Sequence, residues 1–174
     1  MASTEIQLTS TSFIVLGLLQ WLGPASPYRL KKVLESSIAD FHRIPHTTMY
    51  SEPARLAAAG YLEETQEGTG RRRKRYTITE KGREALAEWL ADPRAEPTEV
   101  RSPALLKVFF GADPEPLAAP ALAYHREWRA FLEGVRDGRE GPMPEGVARA
   151  LEAGIGYHGF WIEQWTRLGG GSKK

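Results

Sequence analysis

Five consecutive cations, Arg71-Arg72-Arg73-Lys74-Arg75, lie between two stretches of strand character, directly after a segment that reads as a short helix. Before them, Tyr61-Leu62-Glu63-Glu64-Thr65 follows the helix-ending Gly60, and Thr69-Gly70 marks a turn. After them, Tyr76, Thr77, Ile78 and Thr79 are aromatic or β-branched, which suits a half-buried pleated ribbon, and Glu80-Lys81-Gly82 opens another helix. A hairpin tip of five cations repels itself unless something anionic lies opposite. The phosphate backbone of DNA fits, because cations gain affinity there by releasing condensed counterions. Taken alone, the run reads equally as a solvated basic loop.

The segments before the hairpin decide between these readings. Thr9 to Leu22 forms a helix with a Ser/Thr-rich entry, and Phe13, Ile14, Leu16, Leu18, Leu19 and Leu22 cover most of its circumference, so it is buried on more than one side. Gly23-Pro24-Ala25 stops it, and Ser26-Pro27 supplies an N-cap and first turn for a second helix, Tyr28 to Ser37. Leu30, Val33 and Leu34 form its inner face; Arg29, Lys31 and Lys32 lie on or near the outer one. A loop through His42-Arg43-Ile44-Pro45 leads to a third helix from about Thr47 to Ala59. Three helices followed by a basic hairpin are the layout of a winged helix-turn-helix.

His46, Thr47, Thr48, Tyr50 and Ser51 crowd the start of the third helix, with Met49, Leu56 and Ala57 available for packing and Arg55 one turn further on. Hydroxyls reach base edges, a threonine methyl touches the thymine methyl, and a helix N-terminus attracts phosphate. Capping is the alternative role of the threonine pair, and Tyr50 serves equally as a core aromatic. Pro53 removes a hydrogen bond from the helix interior, so the helix either bends there or starts late with Glu52 and Pro53 in its first turn.

Leu16-Gly17-Leu18-Leu19, Tyr28-Arg29-Leu30, the segment from Thr48 to Leu62 with its Tyr50-Ser51-Glu52-Pro53-Ala54-Arg55-Leu56 arrangement, and Arg73 to Gly82 resemble, in unbroken order, the PadR family of bacterial transcriptional regulators. The resemblance covers roughly the first half of the chain. It implies a homodimeric winged-helix repressor with a C-terminal helical dimerisation region, binding double-stranded DNA at an inverted-repeat operator and released by a small aromatic or phenolic effector. The DNA-contacting residues then expected are Tyr28, Arg29, Lys32, His46, Thr47, Thr48, Tyr50, Ser51, Arg55, Arg71, Arg72, Arg73, Lys74 and Arg75. The wing cations would hold phosphates or reach into the minor groove, and the third helix would enter the major groove. A winged-helix module that binds DNA or a protein partner without an effector is the alternative.

Beyond Leu90, Asp92-Pro93-Arg94-Ala95-Glu96-Pro97 has linker composition. Helical patterns follow at Val100 to Phe110, Leu117 to Arg136, and Glu145 to about Leu168, the last two rich in aromatic residues. Such a pair buries its apolar surface against a second copy. The fold class expected is therefore mostly α within α+β. A winged-helix domain with a two-stranded β-wing occupies residues 1–92, a helical dimerisation domain residues 93–168, and a flexible Gly/Ser/Lys tail residues 169–174. Trp21, Trp89, Phe109, Trp128, Tyr157 and Trp161 are the candidates to stack on a flat ligand, with ordinary core and interface packing as the competing role for each.

Other functions are disfavoured. The net charge of +1, with 13 Lys/Arg against 11 Asp/Glu in residues 1–95, leaves any nucleic-acid surface a local patch. Cysteine is absent, which removes disulfides and thiolate chemistry. His42 and His46 have helical metal-binding spacing but are separated by Pro45 and lack a third ligand at a fixed offset. No phosphate loop, serine elbow or recognisable carboxylate pair appears, and Gly154-Ile155-Gly156 sits in a helical pattern with no preceding strand. No enzyme activity, metal or cofactor is expected. The apolar run from Phe13 to Leu22 is too short to span a bilayer, so the expected setting is the cytoplasm, with no membrane partner.

Overall fold

The computed structural model describes residues 6–35, 44, 45, 47–66, 73–95, 97, 99–138, 141 and 143–170. They form two compact units, residues 1–96 and 97–174. In the first, α1 (Ser10–Leu22), α2 (Pro27–Glu35) and α3 (Thr48–Ala58) precede the strands β1 (Leu62–Gln66) and β2 (Lys74–Ile78), and α4 (Glu80–Ala91) closes the unit. This is the winged-helix order that the sequence pattern predicts.

α1 is the centre of this unit because its apolar residues surround it. Val15, Leu16, Leu18 and Leu19 are all buried, and the helix packs against α2, α3, α4 and β2. Burying each such side chain contributes about 1.5–3 kcal/mol. Leu30 and Leu34 of α2, Met49 and Leu56 of α3, Tyr76 and Ile78 of β2, and Leu86 of α4 complete the core. α2 begins as its sequence predicts, with Ser26 Oγ accepting from the Arg29 amide at 3.4 Å.

β1 and β2 pair antiparallel, in a register that sets Leu62 opposite Ile78, Glu64 opposite Tyr76 and Gln66 opposite Lys74. On its other side β2 bonds to the α1–α2 connection, where Ala25 and Tyr76 exchange backbone hydrogen bonds at 2.9 and 3.1 Å. That bridge fixes the base of the wing to the helical body. The cationic run is divided by this geometry. Lys74 and Arg75 belong to β2 instead of the hairpin tip, Arg73 immediately precedes the strand, and Arg71 and Arg72 lie outside the described residues, as does His46.

α4 is locked to the end of α3 by the Thr79-Glu80-Lys81-Gly82 segment. Thr79 Oγ1 accepts from the Gly82 amide at 3.2 Å and reaches the carbonyls of Gly60 (2.8 Å) and Tyr61 (2.9 Å). Lys81 donates to the Ala59 carbonyl at 2.8 Å and lies 4.2 Å from the centre of the Tyr61 ring. Gly82 is dictated by the close approach, since a Cβ there would lie 2.3 Å from the Tyr61 carbonyl oxygen.

In the second unit, α5 (Pro103–Phe109) precedes two long helices, α6 (Glu115–Asp137) and α7 (Glu145–Gly170), which form an antiparallel pair. Leu132 of α6 and Ile155, His158 and Trp165 of α7 are buried between them. α7 extends through Gly169 and Gly170, two positions expected in a flexible tail. A Cβ at Gly169 would sit 2.5 Å from that of Ala118, so glycine permits the close packing that keeps α7 helical to that point. Residues 171–174 of the expected tail lie outside the described residues.

Candidate nucleic-acid interface and a cleft in the helical unit

α3 begins at Thr48 and runs uninterrupted past Pro53, so of the two alternatives for this segment the late start is excluded. Its faces divide cleanly. Met49, Glu52, Pro53 and Leu56 are buried, whereas Thr47, Tyr50, Ser51 and Ala54 are exposed at the three- and four-residue intervals that place them on one side. Tyr50 is half exposed and so is not a core aromatic. Thr47 occupies the N-cap position without a side-chain cap bond, and the Thr48 amide is satisfied instead by the Pro45 carbonyl at 3.0 Å. Capping therefore does not account for the Thr47 hydroxyl. Ser51 Oγ donates back to the Thr47 and Thr48 carbonyls, at 3.4 Å each.

On α2, Tyr28, Arg29 and Lys32 are exposed. Around the wing, Lys74 pairs with Glu64 at 2.7 Å and Arg75 donates to the Pro24 carbonyl at 2.8 Å. Glu64 also accepts from the Tyr76 hydroxyl at 2.8 Å. The hydrogen bond from Lys74, that from Tyr76 and the Lys74 charge hold the Glu64 carboxyl below its ordinary range. Burial and the Glu64 carboxylate push the Tyr76 phenol up to about 12. Lys74 and Arg75 therefore help to build the wing as well as charging it.

Arg55 uses all three guanidinium nitrogens in contacts within the protein. Its Nε donates to Glu52 Oε2 at 2.9 Å, Nη2 to Glu52 Oε1 at 2.7 Å and to Ser12 Oγ at 3.0 Å, and Nη1 to the Gln7 carbonyl at 3.2 Å. Ser12 Oγ in turn donates to Glu52 Oε1 at 2.6 Å and accepts from the Thr9 amide at 2.9 Å. Burial raises the Glu52 carboxyl, but the Arg55 and Ser12 hydrogen bonds and the Arg55 charge outweigh it and leave the group below its ordinary value. The guanidinium fork that would read a base edge is thus turned onto the protein itself. Nothing in sequence spacing marks Ser12 as a partner forty residues from Glu52.

The residues expected to stack on a ligand divide between the two units. Trp21 is exposed on α1, and Trp89 of α4 stacks on Phe13 with ring centres 4.8 Å apart. In the second unit, Tyr157 and Trp161 line a cleft of about 330 Å³ with Tyr124, His125, Trp165 and the segment from Val100 to Ala104. Trp128 stacks on His158, a fully buried residue whose Nδ1 lies 2.9 Å from that of His125. Phe109 does not line that cleft; it lies on an adjoining, more open apolar surface that shares Val100 and Pro103 with it and adds Leu106. Sequence spacing does not reveal the histidine pair, because its members are 33 residues apart and meet only through the packing of α6 on α7. Among the described residues no group of three or more histidines and carboxylates is arranged to hold a metal, and no helix is long and apolar enough to cross a membrane.

Comparison with known proteins gives this arrangement a lineage. Residues 15–88 match the model of the transcriptional regulator PadR-like family. A relative, the negative transcriptional regulator PadR of Bacillus subtilis (strain 168), is 29% identical over 100 residues, covering 56% of this chain and 54% of the relative. The chain thus spans about half the length of that curated relative in the match. The fold is similar to that of Bacillus subtilis PadR in complex with operator DNA, with a TM-score of 0.80 over 93% of this chain and 98% of that one at 19% identity. It is also similar to the same regulator in complex with p-coumaric acid, with a TM-score of 0.73 over 90% and 92% of the two chains at 20% identity. The matched segment extends from α1 to α4 and includes the exposed face of α3 and the wing strands. Residues 15–88 of this chain, from α1 to α4, are therefore similar to the PadR-like family of transcriptional regulators.

Proposed function

We propose that the protein is a homodimeric, sequence-specific DNA-binding repressor that reads an inverted-repeat operator and is released by a small aromatic or phenolic compound. The observation that carries this reading is the two-faced α3, in which buried Met49 and Leu56 anchor the helix while Thr47, Tyr50 and Ser51 stand exposed at its start. A helix presented in this way enters the major groove, with short hydroxyl side chains at base edges. Arg29 and Lys32 of α2, together with the wing cations, supply sequence-independent phosphate contacts. That the structurally similar Bacillus subtilis regulator forms a complex with operator DNA supports the DNA-binding reading.

One winged helix contacts few base pairs, so discrimination needs two copies related by a dyad. Phe109 and Phe110, 81% and 77% exposed, and Phe131, Tyr157 and Phe160 give the helical unit more exposed aromatic surface than a solitary domain keeps, which supports pairing through α5–α7. The cleft beside Tyr124, His125, Tyr157 and Trp161 combines flat apolar walls with polar groups, the character of a small-molecule site. The p-coumaric acid complex of the Bacillus subtilis protein suggests the ligand class. The test is titration of phenolic acids into the protein bound to its selected operator fragment. Loss of DNA affinity accompanied by a change in tryptophan emission supports the effector reading. DNA affinity unchanged by every compound, at concentrations that saturate tryptophan quenching, overturns it.

A further inference from the structure

The start of α3 has no side-chain cap and carries a proline in its second turn. Pro53 supplies no amide to the Met49 carbonyl and Thr47 gives no side-chain cap, so the local bonds of the first turns are those of the Thr48, Tyr50 and Ser51 amides and the Ser51 hydroxyl, all of which end within residues 45–51. Beside the apolar anchors Met49 and Leu56, a polar cluster behind the exposed face ties them to α1. Glu52, 6% exposed and adjacent to Ser51, receives bonds from Ser12 of α1 and from two nitrogens of Arg55, while Arg55 also ties down the Gln7 carbonyl in the lead to α1. Ser12 is fully buried, with its hydroxyl donating once and accepting from both Thr9 and Arg55. Glu52 is buried while the Arg55 side chain is partly exposed, so the pair adds little stability over an apolar filling, but its bond directions admit one geometry, where an apolar contact slides.

From this geometry, and on the reading of α3 as the DNA-reading helix, we infer that Ser12, Glu52 and Arg55 form a clamp that sets the angle at which α3 presents Tyr50 and Ser51. Arg55 is a positioning residue and touches no base or phosphate. Its guanidinium spans two oxygens of Glu52, Ser12 Oγ and a backbone carbonyl at once, a set that only a planar fork satisfies. A lysine in its place keeps the charge and loses the geometry.

The experiment measures binding of full-length protein by fluorescence anisotropy, to its selected operator fragment and to random DNA of equal length, between about 50 and 200 mM KCl. Three variants are compared with the wild type: Arg55→Lys, Arg55→Met, and the triple change Ser12→Ala, Glu52→Met, Arg55→Met, which replaces the cluster with apolar packing. Thermal unfolding is followed alongside. The clamp predicts that the triple variant melts near the wild type yet loses about tenfold of its preference for the operator, with an unchanged salt slope. It also predicts that Arg55→Lys fails to restore that preference. A salt slope lowered by about 0.9 per site in Arg55→Met, restored by Arg55→Lys and equal on both DNAs, would make Arg55 a phosphate contact and overturn the proposal. Full operator preference in the folded triple variant overturns it as well. Wild-type protein with no operator preference would instead sink the DNA-reading assignment itself, and the clamp with it.

Discussion

Replacing Gly82 with alanine tests the packing that fixes the wing to the helical body. The added Cβ would stand 2.3 Å from the Tyr61 carbonyl oxygen, 2.9 Å from Ile78 Cγ1 and 3.2 Å from Leu16 Cδ2. The two side chains can turn, but the carbonyl is backbone, and it already accepts from the Thr79 amide at 3.1 Å and the Thr79 hydroxyl at 2.9 Å. Relief by moving Tyr61 therefore breaks both bonds, about 1 kcal/mol each, in addition to an overpacking cost of about 1–3 kcal/mol. The expected loss is about 3–5 kcal/mol, a large part of the roughly 5–15 kcal/mol available to a domain. At roughly 4–8 °C per kcal/mol for a domain of this size, the transition of the first unit falls by at least about 12 °C. Gly17→Ala is the control, because Gly17 is interior to α1 and a methyl group added there would meet nothing within 4 Å. That change should stabilise by about 0.5–1 kcal/mol through helix propensity. Urea unfolding of both variants, followed by far-ultraviolet circular dichroism and tryptophan emission, measures the difference. A Gly82→Ala protein within about 1 kcal/mol of the wild type would refute the close-approach argument.

The other predictions concern binding and pH. Arg73→Ala should weaken binding to operator and random DNA alike and lower the salt slope by about 0.9, as measured by anisotropy titrations across salt. Tyr50→Ala should cost about 1–3 kcal/mol on the operator and much less on random DNA; equal losses would remove Tyr50 from the base-reading set. Because the Glu52 carboxyl is held below its ordinary value in the folded protein, its stabilisation is complete above about pH 4.3 and declines as the pH falls through the folded value. Acid unfolding of Glu52→Gln should accordingly be less steep than that of the wild type. Tyr76 has the opposite sign. Its phenol is raised to about 12, so its contribution is complete below about pH 10 and is lost between there and about pH 12, a loss that Tyr76→Phe should lack in alkaline unfolding curves.

The elements of the first unit are legible in the sequence because each one carries its own local signal. The apolar girdle of α1, the Ser26-Pro27 start of α2 and the β-branched residues of β2 each specify an element without reference to the rest of the chain. Boundaries shift where long-range pairing outweighs local character. Lys74 and Arg75 read as hairpin tip, yet the register opposite Gln66 and Thr65 and the bridge at Ala25 draw them into the strand. Gly169 and Gly170 read as linker, yet α7 runs through both, with Gly169 packed closely on Ala118. The contacts of Arg55 are the least legible in the sequence. Exposure on a recognition helix is a local inference, whereas the partners that turn the guanidinium inward come from Gln7 and Ser12, 48 and 43 residues away. The His125–His158 contact is hidden for the same reason. Sequence periodicity identifies which helix faces are buried but not which polar side chains meet there.

The most direct test of the central claim is selection of bound fragments from genomic DNA by the purified protein at physiological salt, followed by competition with random DNA. The account predicts an enriched inverted repeat, with the two half-sites about one helical turn or a multiple of it apart and an operator preference of at least about a thousandfold. Salt-sensitive binding with no enriched sequence would contradict it, because the wing would then be a general phosphate-binding surface and α3 would read nothing.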